Sequence, residues 1–240
     1  MNSDCCSGDC CEGTCTDNTC SCPDTALCDD YSTFATDYCE FPSGGCPSGY
    51  YASNYCCYNG TPIVIDAFEE GFHLTSLING VNFHIHQNGP SYRVSWTDPQ
   101  WRNGWLALDR NGNGTIDDFT ELFGSFTPQP PSSTPNGFKA LAVFDDPANG
   151  GNGNGVIDPG DSVYNKLRVW IDANHNGFSE PNELHTLREL GIHRIGLTYT
   201  LSRYVDANGN HFRYRARIWD RAGRAHNACY DVILQLLQLK

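Results

Sequence analysis

Residues 172–183 read DANHNGFSEPNE, and this stretch determines how the rest of the chain is interpreted. Its spacing is that of a 12-residue calcium loop of the EF-hand type, with oxygen donors at positions 1, 3, 5, 7, 9 and 12. Gly177 falls at position 6, where the chain must turn sharply, and position 7 contributes a main-chain carbonyl. We call this stretch loop 3, because it is the last of three related stretches along the chain. Its predicted ligands are Asp172, Asn174, Asn176, Phe178, Glu180 and Glu183. The alternative is a surface turn rich in asparagine and glycine that binds no metal.

A related stretch, loop 1, begins at residue 109 and reads DRNGNGTIDDFTE. Its position 12 is Thr120, and the acidic Glu121 follows one residue later. Either the loop is one residue longer than usual, or Asp117 and Asp118 supply the charge. Its predicted ligands are Asp109, Asn111, Asn113, Thr115, Asp117 and Glu121.

The remaining stretch, which lies between the other two in the chain and is called loop 2, is the glycine-rich GNGNGVIDPGD of residues 151–161. It has no acid at position 1 unless residues 147–151 are an insert, in which case Asp145 takes that place. The alternative is a glycine-rich linker. Its predicted ligands are Asp145, Asn152, Asn154, Val156, Asp158 and Asp161. Together the loops predict two to three calcium ions, whereas the similar DANGN at Asp206 lacks a later acid and predicts a hairpin turn.

The composition indicates an exported acidic protein. The 240 residues include 28 acidic and 15 basic side chains, a formal net charge of −13 that argues against non-specific nucleic-acid binding. No apolar run is long enough to cross a bilayer. Twelve of the 13 cysteines lie between Cys5 and Cys57, a density that predicts disulfide bonds and an oxidising compartment rather than zinc fingers. Because no signal peptide is visible, we expect a leader that was removed or omitted.

The predicted fold class is α+β, strand-rich with short helices flanking EF-hand-like calcium loops. The expected division is a cysteine-rich, disulfide-stapled segment at 1–60 and a calcium-binding domain at 61–240, with a proline-rich connector at 126–137. Alternating apolar residues predict strands at 62–66, 80–85, 92–97, 105–109, 167–171, 195–201 and 212–218. Short helices are expected at 138–144, 161–166 and 184–190. The terminal strand is apolar on both faces, so it must be buried in its own sheet or against a neighbour.

Several other features leave alternatives open. His84 and His86 share a strand face and could bind a transition metal, although two solvated histidines are more common. The strip formed by Arg213, Arg215 and Arg217 is either an anion-binding surface or a solvated strand face. The aromatic residues that could stack on sugars, unless they are core residues, are Trp96, Trp101, Trp105, Tyr50, Tyr51 and Tyr55. Cys229 has no evident partner among the clustered cysteines.

Longer segments resemble a known family. PIVID, GVNFHI, WLALDRNGNGTIDDFTELFG, GFKALAVFD, the stretch around loops 2 and 3, and FRYRARIWD are similar to secreted bacterial calcium-binding proteins. Related segments of that family occur beside haemolysin-type (RTX) repeats and in large surface proteins. The resemblance implies an extracellular calcium-binding protein, and it does not supply an enzymatic activity. The family also has a D-x-D-x-D-G loop after its first strand, but AFEEGFHL and HIHQNGPSYR lack those acids here.

No HExxH, GxSxG, P-loop or dinucleotide motif is present, so we do not expect an enzyme. We expect a secreted, calcium-binding and disulfide-stabilised structural protein, a subunit of an extracellular fibre, filament, coat or matrix that associates with its own copies. The alternatives are an extracellular adhesion or glycan-binding module and, third, a hydrolase. Residues 59–61 form a glycosylation sequon whose use depends on the host.

Overall fold

The computed structural model describes residues 61–238 apart from Ser133, together with the backbone of four short strands nearer the N-terminus. These strands form two antiparallel pairs, β1 (Cys15–Thr16) with β2 (Thr19–Cys20) and β3 (Tyr50–Ser53) with β4 (Cys56–Asn59). The predicted disulfide framework and the sequon at residues 59–61 depend on side chains outside the described residues.

Antiparallel strands dominate the described part of the chain. The strands are β5 (Ile63–Asp66), β6 (Val81–His84), β7 (Ser91–Val94), β8 (Asn103–Ala107), β9 (Val156–Ile157), β10 (Arg168–Trp170), β11 (Leu184–Thr186), β12 (Arg194–Gly196), β13 (Thr200–Val205), β14 (His211–Trp219), β15 (Ala225–Ile233) and β16 (Leu236–Gln238). A nine-stranded sheet has the order β11-β10-β8-β5-β15-β14-β12-β9, with β13 also paired to β14. A smaller sheet has the order β16-β7-β6.

The predicted α+β class is wrong, because among the described residues there is a single α-helix, α1 (Gly137–Ala142), and one 3-10 turn (Pro147–Asn149). Helix α1 accounts for the helix predicted at 138–144, and Asn136 caps it by accepting hydrogen bonds from two main-chain N–H groups. The helices expected at 161–166 and 184–190 do not form. Residues 161–166 make successive turns, and the chain leaving loop 3 becomes β11, which pairs with β10, the strand that enters the loop.

The core lies on both faces of β5, a strand whose four residues are all buried. One face contributes Ile63 and Ile65 to a cluster that α1 covers through Phe138. The opposite face contributes Val64 to an aromatic cluster beneath the smaller sheet. A strand in the middle of the large sheet and covered on both sides is shielded from water, so the elements beside it are held rigidly.

The predicted terminal strand forms two strands. The first, β15, is buried in its own sheet, which was one of the two expected outcomes, whereas the second, β16, pairs with β7 and leaves Leu237 57% exposed. β15 pairs with β5 on one side and with β14 on the other. Its Cys229 thiol is fully buried and donates a hydrogen bond to the Ala216 carbonyl at 3.4 Å. Burial raises the pKa of this thiol to about 12, so Cys229 is positioned to stay reduced rather than to join another chain. The turn predicted at Asp206 is also confirmed, because β13 and β14 form a hairpin around it.

Gly80 allows the smaller sheet to pack closely, and its replacement by alanine is expected to destabilise the domain. A Cβ atom at Gly80 would lie 1.7 Å from the Val94 carbonyl oxygen, which belongs to the backbone and cannot move aside easily. We expect a loss of about 2–3 kcal/mol in unfolding free energy, measured by urea denaturation. Gly191→Ala is the matched control, because its site is open and only the positive φ of 71° opposes a side chain. Equal losses in the two variants would contradict the collision.

Candidate calcium loops

The three loops occupy different connections of the fold, and two of them touch. Loop 1 follows β8, loop 2 follows α1 and includes β9, and loop 3 joins β10 to β11. Ile116 and Ser179, at position 8 of loops 1 and 3, are linked by hydrogen bonds through the Ser179 hydroxyl. Loops 1 and 3 therefore form a pair, whereas the equivalent Ile157 of loop 2 lies in β9 against β12.

The aspartate at position 1 has the same environment in every loop. Its carboxylate accepts a hydrogen bond from the main-chain N–H of the position 6 glycine at 2.9 Å in all three cases. The glycines have positive φ angles of 89° for Gly114, 82° for Gly155 and 75° for Gly177. Only glycine adopts this conformation without strain, so the glycine spacing seen in the sequence has a direct conformational cause. In loop 2 the 3-10 turn holds the insert aside, and Asp145 reaches this place.

The asparagines at positions 3 and 5 turn the backbone inward. Each side-chain Oδ1 accepts from the N–H two residues later, at distances between 2.7 and 3.1 Å. Such turns are typical of asparagine and aspartate, whose short side chains reach their own backbone. The position 7 residues Thr115, Val156 and Phe178 each donate their N–H to the asparagine at position 5.

The final acid of each loop folds back over its beginning. Glu121, Asp161 and Glu183 are each only 2% exposed. Glu121 accepts from Arg110 N–H at 2.9 Å, Asp161 from Asn152 N–H at 3.1 Å, and Glu183 from Ala173 N–H at 2.9 Å. In loop 1 it is Glu121 that closes the loop, while Asp118 turns to Thr120 instead.

The acids at position 9 lie across from the asparagine amides. Asp117 accepts from the Nδ2 groups of Asn111 and Asn113, and Asp158 does the same with Asn152 and Asn154. Glu180 accepts from Asn176 Nδ2 at 2.8 Å. Although burial acts in the opposite direction, hydrogen bonds from Asn113, Thr115 and Asn111 lower the pKa of Asp117.

The loops gather negative charge, and in loop 1 the guanidinium of Arg110 interacts electrostatically with Glu121 without forming an ion pair with it. Burial, with a further contribution from Glu180, raises the pKa of Glu183, and burial also raises the pKa of Glu121. Among residues 61–238, no loop ligand forms an ion pair with a lysine, arginine or histidine. Carboxylates placed in this way are stabilised by a cation, because like charges brought together out of water repel one another.

The donor chemistry of the loops suits a hard cation. In the described part of the chain, no three or more His, Cys, Asp or Glu side chains form a metal-binding cluster. Each loop instead offers three carboxylates together with asparagine and main-chain oxygens, and the predicted ligands include no sulfur or imidazole. A set of neutral and charged oxygens fits calcium in character, and the low number of charges favours weak binding.

Two buried tryptophans connect loop 3 to the core, and the sequence did not predict these contacts. Trp96 Nε1 donates to the Asp172 carboxylate at 2.9 Å, and Trp170 Nε1 donates to the Glu183 carboxylate at 3.2 Å. Of the two alternatives for Trp96 and Trp105, sugar stacking or core packing, the structure shows core packing, because both side chains are fully buried. Trp101 is 37% exposed, and its ring stacks on that of His73 with the two ring centres 3.8 Å apart.

The segment after β5 keeps the shape of a calcium loop without its ligands. Asp66 accepts from the N–H groups of Glu70 and Gly71 at 3.1 and 2.8 Å, and Gly71 has a φ of 91°. Phe68 stands at position 3, and the guanidinium of Arg102 lies 3.7 Å from the centre of its ring. Arg102 also forms an ion pair with Glu70, so an arginine side chain supplies the positive charge at this degenerate loop.

Comparison with known proteins places the chain in a family. Residues 63–235 match the model of the SPM domain, and the chain therefore belongs to the SPM-domain family. The chain is also similar to the iron-regulated protein FrpA of Neisseria meningitidis serogroup C, with 35% identity over 152 residues. This match covers 62% of the chain but only 13% of FrpA. No helix among the described residues combines the length and the hydrophobicity needed to span a bilayer.

Proposed function

We propose that this chain is a secreted bacterial calcium-binding module, in which two to three calcium ions complete the fold and the role is structural rather than catalytic. Loop 3 carries the proposal. Asp172 and Glu183 are each 2% exposed and lie at the two ends of the loop, and neither forms an ion pair with a described basic side chain. A divalent cation bound there would neutralise both carboxylates.

An extracellular setting supports the proposal. The asparagine-rich loops carry few charges, and extracellular calcium modules bind with dissociation constants of about 10⁻⁴–10⁻³ M. Such sites fill outside the cell, where calcium is abundant, and stay empty in the cytoplasm. The clustered cysteines and the similarity to the RTX-associated family are consistent with export.

Calcium uptake tests the function directly. We expect two to three ions per chain by equilibrium dialysis, together with a change in tryptophan emission because Trp96 and Trp170 donate to loop 3 carboxylates. Glu183→Gln should remove one ion and most of the emission change. Glu189→Gln, an exposed acid outside the loops, should leave both unchanged. Absence of uptake at about 10 mM calcium, tenfold above the weakest expected constant, would contradict the proposal.

Self-association is a second candidate property, and β13 is the observation that favours it. This strand pairs only with β14 among the described strands, and its exposed residues include Leu201, Tyr204 and Val205. An apolar edge strand of this kind can pair with another chain. The buried Cys229 and β15 no longer support an assembly, although the sequence suggested both.

Sedimentation velocity in calcium is the test of this association. We expect oligomers for the natural chain and a monomer for the double variant Leu201→Lys, Tyr204→Lys. Ile78→Lys is the control, because Ile78 is an exposed apolar residue away from β13. A monomeric natural chain at about 1 mM would exclude the edge as an assembly site, since constants weaker than this correspond to less than about 4 kcal/mol.

A further inference from the structure

A groove lies along β14 beside calcium loop 2, and Gly155 and Val156 of that loop are among its lining residues. It has a volume of about 410 Å³ and runs across β12, β13 and β14. Arg215 and Arg217 project from β14, while Thr198 and Thr200 line the neighbouring chain segment. Alternate residues of a strand share a face, so the Cα atoms of the two arginines lie about 7 Å apart.

The charge of this groove differs from that of the protein as a whole. The chain has a formal net charge of −13, yet none of the residues lining the groove is acidic. Arg215 and Arg217 are exposed and form no ion pair with any of the described residues. Other arginines do have such partners, as Arg102 has Glu70 and Arg224 has Asp220. Two adjacent guanidinium groups without a counter-charge form a site for an anion.

An aromatic ring adds a flat surface at one end of the groove. Trp219 lies over Gly196, where a Cβ atom would come within 3.2 Å of the ring. Because Gly196 has no side chain, the indole can lie against the strand. The guanidinium of Arg194 is 5.3 Å from the centre of the same ring, which brings a third positive charge to this end.

We propose that this groove binds an acidic saccharide, a sugar chain that carries carboxylate or sulfate groups. The guanidinium groups match the geometry of those anions, the threonine hydroxyls can hydrogen-bond to sugar hydroxyls, and the indole offers an apolar surface to a sugar ring. A nucleic acid is disfavoured, because single-stranded nucleic acid is held by aromatic rings on which successive bases stack, and Trp219 is the one aromatic residue among those described as lining the groove.

Titration of the full chain with defined oligosaccharides tests the site. In calcium-containing buffer at low salt, calorimetry would compare a sulfated oligosaccharide, a polyuronate oligosaccharide, a neutral oligosaccharide of equal length and inorganic sulfate. We expect binding of one or both acidic oligosaccharides, weaker at high salt, and no binding of the neutral one. The sulfated and uronate arms show which anion the groove prefers. A single-stranded oligonucleotide that binds more tightly than both would overturn the proposal.

Two double variants separate the groove from general charge effects. Arg215→Gln with Arg217→Gln should weaken binding at least about tenfold, because two charge-assisted contacts are lost. Arg203→Gln with Arg221→Gln removes the same charge from exposed positions outside the groove and should change affinity less than about twofold. Equal losses in the two variants, binding of inorganic sulfate as tight as that of the oligosaccharides, or no binding of either acidic probe would each overturn the proposal. Circular dichroism confirms that the variants are folded.

Discussion

Removal of calcium is expected to lower the unfolding free energy by about 2.7 kcal/mol per loop, when the ion had been present at 100 times its dissociation constant. For three independent loops the sum is about 8 kcal/mol, which corresponds to a fall in melting temperature of roughly 15–30 °C for a domain of this size. The reason is that the acids at positions 1 and 12 of loops 2 and 3 are buried, and among the described residues none of them forms an ion pair with a basic side chain. Calorimetry in calcium and in excess chelator measures the difference.

The effect of Glu183→Gln on the unfolding free energy should differ between calcium and chelator. With calcium present, the variant loses a bidentate ligand and about 2.7 kcal/mol of linked stability. With chelator present, the variant should be as stable as the natural chain or more stable, because a carboxylate with a raised pKa has been replaced by a neutral amide. Glu189→Gln, the exposed control, should show no such reversal. A loss of equal size in both conditions would mean that Glu183 acts through packing alone.

The loops were predictable because their determinants are local. The glycine at position 6, the asparagines at positions 3 and 5 and the flanking acids all interact within about a dozen residues, so their spacing alone describes the ring. Even the insert in loop 2 could be located, since the chain only has to return Asp145 to the loop. The sequence also indicated that the segment after β5 had lost its ligands, but it did not predict that Arg102 would occupy that place.

The misjudged features depend on distant partners. Residues 184–190 carry a helical spacing of leucines, yet Leu184 pairs with Trp170 across loop 3, so this segment begins as a strand. Trp96 and Asp172 are 76 positions apart, and no local pattern announces their hydrogen bond. The central position of β5, between β8 and β15, likewise depends on pairing between the beginning and the end of the domain. Tertiary contacts of this kind override local propensity.

Asp231 is a buried acid. The sequence pattern placed it in the terminal strand but did not indicate its role there. It lies on β15 opposite Ile63, is fully buried, and accepts a hydrogen bond from Gly137 N–H at the start of α1 at 2.6 Å. Burial raises the pKa of this carboxyl to about 7, against the lowering influence of the Gly137 amide and of Arg213. The folded protein therefore keeps a proton on Asp231 in a range where the unfolded chain, with a pKa of 3.8, has released it.

The pH dependence of stability follows from this difference. Below about pH 4 the carboxyl is protonated in both states, and its contribution to stability is fully present. Between about pH 4 and pH 7 only the unfolded chain releases the proton, so stability falls by about 1.4 kcal/mol per pH unit, or about 4 kcal/mol in total. Above about pH 7 both states are ionised, and the contribution stays constant.

Asp231→Asn should remove this dependence, because the amide has no proton to release and its oxygen can still accept from Gly137 N–H. The unfolding free energy of the variant minus that of the natural chain should rise by about 4 kcal/mol between pH 4 and pH 8. The other acids, including those of the calcium loops, cancel in this difference because they are common to both proteins. Asp98→Asn, which changes a partly exposed acid that accepts from Gln100 N–H, is the matched control for replacing a carboxyl by an amide. A flat difference for Asp231→Asn would mean that Asp231 ionises in the folded state as readily as in the unfolded chain, and that Arg213 and the Gly137 amide together offset its burial.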